Sequence, residues 1–411
     1  MKPPKHSELK TYTLPGKWES QLRAVLARYD LTLEDSAPLA KAVQQLSNFY
    51  IEFPERPTPY HERWAQLASL VYFFPLNYLR ACAVVDFAKQ VDFFAGLNEW
   101  HDFGSGLGPL SQALGERVGG FTRRTAIDHS PLAHQLRRLW PAPAPAAPPS
   151  LLEEINSPAQ FGARPSDSVT HATISRMNVY KSPPTGKAVQ AAASGSEVSG
   201  SESSMTEATH LNTALLGPTS LVSFSYSLVE VSRLPTGYER SEAILIIEPS
   251  TQERGRNLQT LRHRLLADGY HIWAPCTHQG PCPLLEHSEK DWCHQRIAFT
   301  PPTWWLNMEQ HLPMRNTTLT FSYLLARKRK PQAMPPNIAR VLGDWQREKG
   351  KQKQLLCRNS EREFLAVLKR QPYAVQHQRG DLIVLPEKAV KAGNELRCDQ
   401  APQVWQPRLS K

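Results

Sequence analysis

The sequence predicts a mixed α/β fold: a parallel sheet preceded by a helical domain and followed by a small, basic, β-rich module. Three observations predict it. Apolar residues recur at helical spacing over residues 15–90, strand and helix patterns then alternate around a glycine-rich turn, and beyond Pro331 the chain turns basic and breaks into short apolar pieces such as DLIVL (381–385). With 411 residues there is ample chain for a core and two or three units. Its 35 prolines, nearly twice the usual share, imply additional chain outside that core.

The helical reading rests on Trp18, Leu22, Val25, Leu26 and Tyr29, and again on Leu39, Val43, Leu46 and Tyr50, each set falling on one face. Asn98 to Phe103 then reads as a strand running into DFGSGLG, with a helix from Pro109 to Leu114. Glu99, Trp100 and His101 make that strand weak by propensity. PAPAPAAPPS from Pro141 and the later AAASGSEVSGSESS bury too little to offset their ordering entropy, so residues 141–210 are expected to be a mostly disordered insertion, in which THATISRMNVY (170–180) could hold a strand. Regular structure resumes with LVSFSYSLVEV (221–231). Ala243 to Ile247 is the continuous apolar run of a strand covered on both faces, and Leu258, Leu261 and Leu265 place a stripe on the helix after it. The expected units are a helical domain over 1–95, an α/β domain over 96–326 and a basic module over 327–411.

Composition excludes several classes. The most apolar stretch, Trp64 to Phe87, is interrupted by Pro75 and Arg80, against a membrane span. The N-terminal MKPPKHSELK has no apolar segment of a secretory signal, and Glu8 and Glu19 argue against a transit peptide, so a reducing, cytoplasm-like compartment is expected. Six cysteines are too few for a disulfide scaffold. Formal charge is +10, but residues 327–411 carry 19 Lys/Arg against 8 Asp/Glu, a net +11, leaving the first 326 residues at −1. A neutral body with one basic module suits a polyanion, most simply nucleic acid, the alternative being a solvated basic surface.

Two motifs carry chemistry. In D-x-G-x-G-x-G, Asp102 precedes Gly104, Gly106 and Gly108, and Asp128 follows 26 residues later in TAIDHSP. Glycines permit close backbone approach at a strand's C-terminal edge, and a downstream acid can accept both ribose hydroxyls, so the pair points to a nucleoside cofactor such as S-adenosylmethionine; a structural turn is the alternative. Cys276, Cys282 and Cys293 follow the spacing C-x5-C-x10-C in a Pro-rich loop (274–294), with Cys357 available from the basic module as a fourth ligand. Such clustered thiols are usually ligands, to iron or to zinc, and His278, His287 and His294 keep a three-cysteine, one-histidine zinc site open. Cys82 and Cys398 read as ordinary cysteines. The radical-enzyme spacing C-x3-C-x2-C is absent, and Pro275-Cys276 also fits the Pro-Cys of cytosine C5 methylation, although ligation explains its neighbours better. No NPPY-like sequence for amine methylation is present; its equivalent, SFSYSLVEV, offers Ser225 and Tyr226 as pocket residues and Tyr226 and Glu230 as the nominees for a proton-handling role, so catalytic residues stay unassigned.

DFGSGLG, AIDHSP, SYSLVEV, IIEPSTQERG, APCTHQGPCPL and DWCHQ, in that order over roughly residues 70–330, together resemble the Rsm-type ribosomal small-subunit methyltransferase-like proteins. The resemblance implies a class I S-adenosylmethionine-dependent methyltransferase (Rossmann-like) sheet, association with the small ribosomal subunit and its rRNA, and a [4Fe-4S] cluster. Carried over, Cys276, Cys282 and Cys293 match the family's cysteine motifs and Cys357 its distant fourth ligand, while Ser250 stands where the family commonly has glycine. It implies an assembly or translation factor; the alternatives are an active rRNA methyltransferase and a zinc-stabilised RNA-binding protein. A ribosome-associated protein without a membrane partner, monomeric when free, and mitochondrial if the source is eukaryotic, is the expectation.

Overall fold

A computed structural model describes residues 9–139, the backbone of 151–156, and residues 216–228, 234–316, 318–371 and 377–407. Strand β1 (Thr11–Thr13) opens the chain, followed by helices α1 (Lys17–Leu26) and α2 (Ser36–Glu52). A longer helical run covers Arg63–Gln90: α3 (Arg63–Ala68), a π-helical turn at Ser69–Phe73, and α4 (Phe74–Gln90). Pro75 therefore does not break this run, as the sequence suggests it should. It sits in the first turn of α4, directly after the π turn, where the missing N–H is absorbed by the altered backbone bonding. The run is long and apolar enough to cross a membrane, but 78% of its apolar window is buried inside the protein. Trp18 packs on Phe74 and Tyr78, and Tyr72 stacks on Trp305 at 4.8 Å.

These helices share one apolar core with the sheet that follows, from Trp18 through Leu79 and Trp100 to Leu325. That sheet contains β2 (Glu99–Phe103), β3 (Arg123–Asp128), β4 (Leu151–Asn156), β5 (Ser220–Ser225), β6 (Ala243–Glu248), β7 (His271–Ala274), β8 (Gln295–Thr300) and β9 (Thr318–Arg327). Its path is β4-β3-β2-β5-β6-β9, with the first five strands mutually parallel. Strand β9 is antiparallel to β6, and both β7 and β8 lie antiparallel to β9; β1 joins in parallel beyond β8. Counting from β2, the order 3-2-1-4-5 closed by an antiparallel strand is the Rossmann-like class I methyltransferase sheet.

Strand β2 is central despite its weak propensity. Both neighbours pair with it along its length, and Trp100 buries its indole while donating Nε1–H to Ser223 Oγ at 2.8 Å, so tertiary context overrides the sequence preference. The stretch 141–210, expected as one insertion, contains β4, which continues the sheet through six residue pairs with β3. An edge strand is held by backbone bonding to one neighbour and needs no long apolar run to announce it. The rest of that stretch, including THATISRMNVY, lies outside the described residues.

The C-terminal module is β-rich, as expected. Strands β10 (Ile338–Val341), β11 (Gln346–Glu348), β12 (Lys351–Cys357), β13 (Glu363–Leu368), β14 (Leu382–Val384), β15 (Val390–Ala392), β16 (Glu395–Arg397) and β17 (Gln403–Val404) form one mixed sheet around its own core of Val341, Leu356, Leu365, Ile383 and Leu396.

Candidate functional site

The chain winds outward from β2 through β3 to β4, then crosses to β5 and β6 on the other side, so the crevice beyond β2 and β5 is the switch point where doubly wound sheets bind ligands. The glycine loop occupies that crevice. Gly104, Gly106 and Gly108 all have positive φ, and Gly108 caps helix α5 (Pro109–Arg117). At Gly104, φ is +61° and a Cβ would lie 2.3 Å from Ser227 Cβ, so both conformation and space demand glycine.

The two acids sit differently. Asp128 receives Gly106 N–H at 2.7 Å and Ser130 N–H at 2.9 Å, which folds the loop over the end of β3. Asp102 lies beneath the loop, 1% exposed, accepting from Ser223 Oγ at 2.6 Å and Ser111 Oγ at 3.1 Å; burial pushes its pKa up to about 6 against the pull of those bonds. Around the loop stand residues that the motif reading missed: Tyr60, and Arg137 at the end of helix α6 (Pro131–Arg137), whose side chains approach Gly106 and Gly108, and Ser227, which donates to Phe103 O at 2.7 Å. Tyr226 follows β5 with a left-handed backbone (φ +61°) and carries the Arg80 guanidinium over its ring. Glu248, at the end of β6 and 3% exposed, accepts Leu228 N–H at 3.2 Å, and burial raises its pKa to about 8. Glu230 lies outside the described residues.

The second motif assembles across both sheets. Cys276 follows β7, Cys282 caps helix α8 (Pro283–His287), Cys293 precedes β8, and Cys357 ends β12 of the C-terminal sheet. All four line one cavity of about 30 Å³, together with Leu258, Gln259, Arg262, Tyr323 and Arg340. Helix α7 (Gln252–Ala267) forms its floor. Gly255 on that helix is required by close approach, since a Cβ would meet Trp292 Cδ1 at 2.6 Å. Arg256 Nη1 faces the carbonyls of Leu284, Ser288 and Asp291, pinning the cysteine loop to α7.

Burial first, then the neighbouring cysteines, raise Cys282 and Cys357, and burial holds Cys293 at about 12. Hydrogen-bond donors reach two sulfurs: Arg262 Nε to Cys276 Sγ at 3.1 Å and Gln259 Nε2 to Cys282 Sγ at 3.5 Å. Among the histidines, His278 Nε2 lies 3.6 Å from Cys357 Sγ, His287 bonds the Ser360 carbonyl, and His294 stacks on Trp292. Among the described residues, no three His, Cys, Asp or Glu side chains are close enough to hold a single metal ion. Cys82 is buried in α4 and Cys398 in the C-terminal core, as ordinary apolar residues.

No curated protein matches the chain significantly. Among solved structures, a Pyrococcus horikoshii protein assigned to the RNA methyltransferases matches with 10% identity and a TM-score of 0.29, covering 61% of this chain and 84% of that one. The plantazolicin methyltransferase BpumL, solved with a desmethylplantazolicin analogue and S-adenosylhomocysteine, matches with 13% identity and a TM-score of 0.29, covering 76% and 100%. At such scores the fold assignment rests on strand order alone. A family model described as mitochondrial small ribosomal subunit Rsm22 matches residues 192–380, a little under half of the chain, which include β5 to β9, all four cysteines and strands β10 to β13 of the C-terminal sheet.

Proposed function

We propose that this protein is an rRNA-binding assembly or translation factor of the small ribosomal subunit, built on an S-adenosylmethionine-binding methyltransferase scaffold and tied together by a [4Fe-4S] cluster. Cys276, Cys282, Cys293 and Cys357 would hold the cluster. The observation that carries the reading is that three cysteines from the α/β sheet and one from the basic module line one cavity. When bound, such a cluster supplies iron–thiolate bonds across the interface and a one-electron couple. The chain's own residues do the rest of the docking. Thr277 Oγ1 donates to Cys357 O at 3.0 Å, Arg296 pairs in two bonds with Asp344, and Arg362 pairs with Asp291.

S-adenosylmethionine would lie over Gly104, Gly106 and Gly108, with Asp128 toward its ribose and Asp102 beneath the loop near its amino-acid portion. A dedicated rRNA methylase is the second reading, supported by that loop at the switch point and by the strained Tyr226 beside it. The scaffold reading is preferred because Asp102, Asp128 and Glu248 are each at most 5% exposed and committed to protein hydrogen bonds, leaving none of the three as an open base. The family's name supports the ribosomal partner; a mitochondrial address applies if the source is eukaryotic, and a cytoplasmic one otherwise.

Anaerobic purification and metal analysis test the cluster: about four irons per chain are expected, while one zinc would overturn it in favour of a zinc-stabilised RNA-binding protein. Deleting the gene, profiling small-subunit rRNA methylation and rescuing with Gly106→Arg tests the choice between scaffold and methylase. Rescue of assembly by the variant is expected; one methyl group restored by wild type alone would establish the methylase.

A further inference from the structure

Two arginines line the cysteine cavity, one from each sheet system: Arg262 on α7, 1% exposed, and Arg340 on β10, 2% exposed. A guanidinium stays charged at any ordinary pH, so burying two together is unfavourable unless negative charge lies beside them. Neither pairs with a carboxylate among the described residues. Arg262 Nε donates to Cys276 Sγ at 3.1 Å and its Nη2 to the carbonyls of His278 and Gly280 at 2.9 and 2.8 Å. Arg340 meets the Tyr323 hydroxyl at 3.4 Å and the Gln295 side-chain oxygen. Arg262 Nη1 and Arg340 Nε are buried with no hydrogen-bond partner among the described residues. Four thiolates around a doubly charged metal core carry two net negative charges, which two guanidinium groups would balance.

We propose that Arg262 and Arg340 are the counter-ions of the four-cysteine centre, positioning residues that hold its charge in the buried interface and set how readily it accepts an electron. The inference rests on the reading that the four cysteines bind metal. It extends that reading from the ligands to the groups that make the ligands' charge tolerable, and it explains why the arginines come from both sides. The interface closes with matched charge only when the centre is loaded.

The test uses the full chain, purified anaerobically, as wild type and as Arg262→Gln, Arg340→Gln, Arg262→Lys and Arg340→Lys. Release of bound metal to EDTA and the midpoint potential are measured. The glutamine variants should release metal about tenfold faster, in line with the loss of an outer-shell partner. In the loaded fraction their potential should move to more negative values, by about 59 mV for a tenfold change in a one-electron equilibrium, because removing a cation disfavours the added electron. The lysine variants, which keep the charge, should stay closer to wild type on both measures. Glutamine variants that match a metal-loaded wild type overturn the counter-ion role and leave the four-cysteine reading standing. Lysine variants that fail as fully as glutamine also overturn it, since charge alone did not rescue. A wild-type chain that retains no metal overturns the four-cysteine reading and the counter-ion role with it.

Discussion

At the scale of single residues, the glycine loop and the carboxyls beneath it make two quantitative statements. Gly104→Ala forces a Cβ onto Ser227 at a left-handed backbone position, and unfolding measurements should show a loss of about 3 kcal/mol or more. Glu248 gives a pH dependence of defined sign. Its carboxyl titrates at about 8 in the folded chain against 4.5 ordinarily, so the folded state holds the proton more tightly. Its contribution to stability is therefore complete below pH 4.5 and is lost as pH rises through 8, at about 1.4 kcal/mol per pH unit between those limits. Asp102, raised to about 6, acts in the same direction at lower pH, while His263, His278, His294 and His377, which burial holds below their ordinary 6.5, act in the opposite direction around that value, so the difference between wild type and a variant at Glu248 is what isolates it. Glu248→Gln keeps an acceptor for Leu228 N–H and cannot ionise. In denaturant unfolding from pH 6.5 to 8, wild type should lose stability relative to this variant as pH rises; parallel curves would remove Glu248 as the source.

At the scale of elements, the sequence announced periodicity and spacing but not what long-range packing decides. Helices α1 and α2 were legible because Trp18, Leu22, Val25 and Leu39, Val43, Leu46 mark buried faces, and Ala243–Ile247 was legible because both faces of β6 are covered. The strength of β2 was not, since it comes from Ser223 and from neighbours more than a hundred residues away. Cysteine spacing pointed to three of the four cysteines that line the cavity, with Cys357 named only as an available fourth, whereas Arg262 and Arg340 look like any surface arginine until α7 and β10 are brought to one cavity. The same holds for Arg256, whose Nη1 replaces a missing secondary structure for the loop around α8. Arg256→Ala should cost about 2 kcal/mol and expose residues 283–292 to protease. Arg256→Lys should recover little, because a single ammonium cannot reproduce the planar donor set; limited proteolysis with mass mapping reads both outcomes.

At the scale of the whole molecule, the proposed function requires the basic module to be held by the α/β body and still to offer charge to RNA. Many of its cations are spent internally: Lys351 and Lys353 on Glu348, Arg358 on Glu363, Lys391 on Glu361 and Arg397 on Glu395. Exposed Arg347, Lys349, Lys369 and Arg370 are different. The turn between β11 and β12 bonds to the end of β13 through Lys369 N–H to Gly350 O at 2.9 Å, which gathers these four at one end of the sheet. A phosphate backbone is the partner that such a cluster fits, and each phosphate neutralised adds about 0.7 to 0.9 to the slope of log affinity against log salt. Replacing Lys349, Lys369 and Arg370 with glutamine should therefore weaken binding to structured RNA with little change in sequence preference, and lower that slope by about 2 to 3. An unchanged slope would move the RNA contact elsewhere on the module. Cys357→Ser provides the complementary measurement, because it removes the module's proposed ligand without touching this patch. Protease resistance of residues 331–407 should fall while the salt slope per bound molecule stays at the wild-type value, so that loss of docking and loss of RNA contact are read apart.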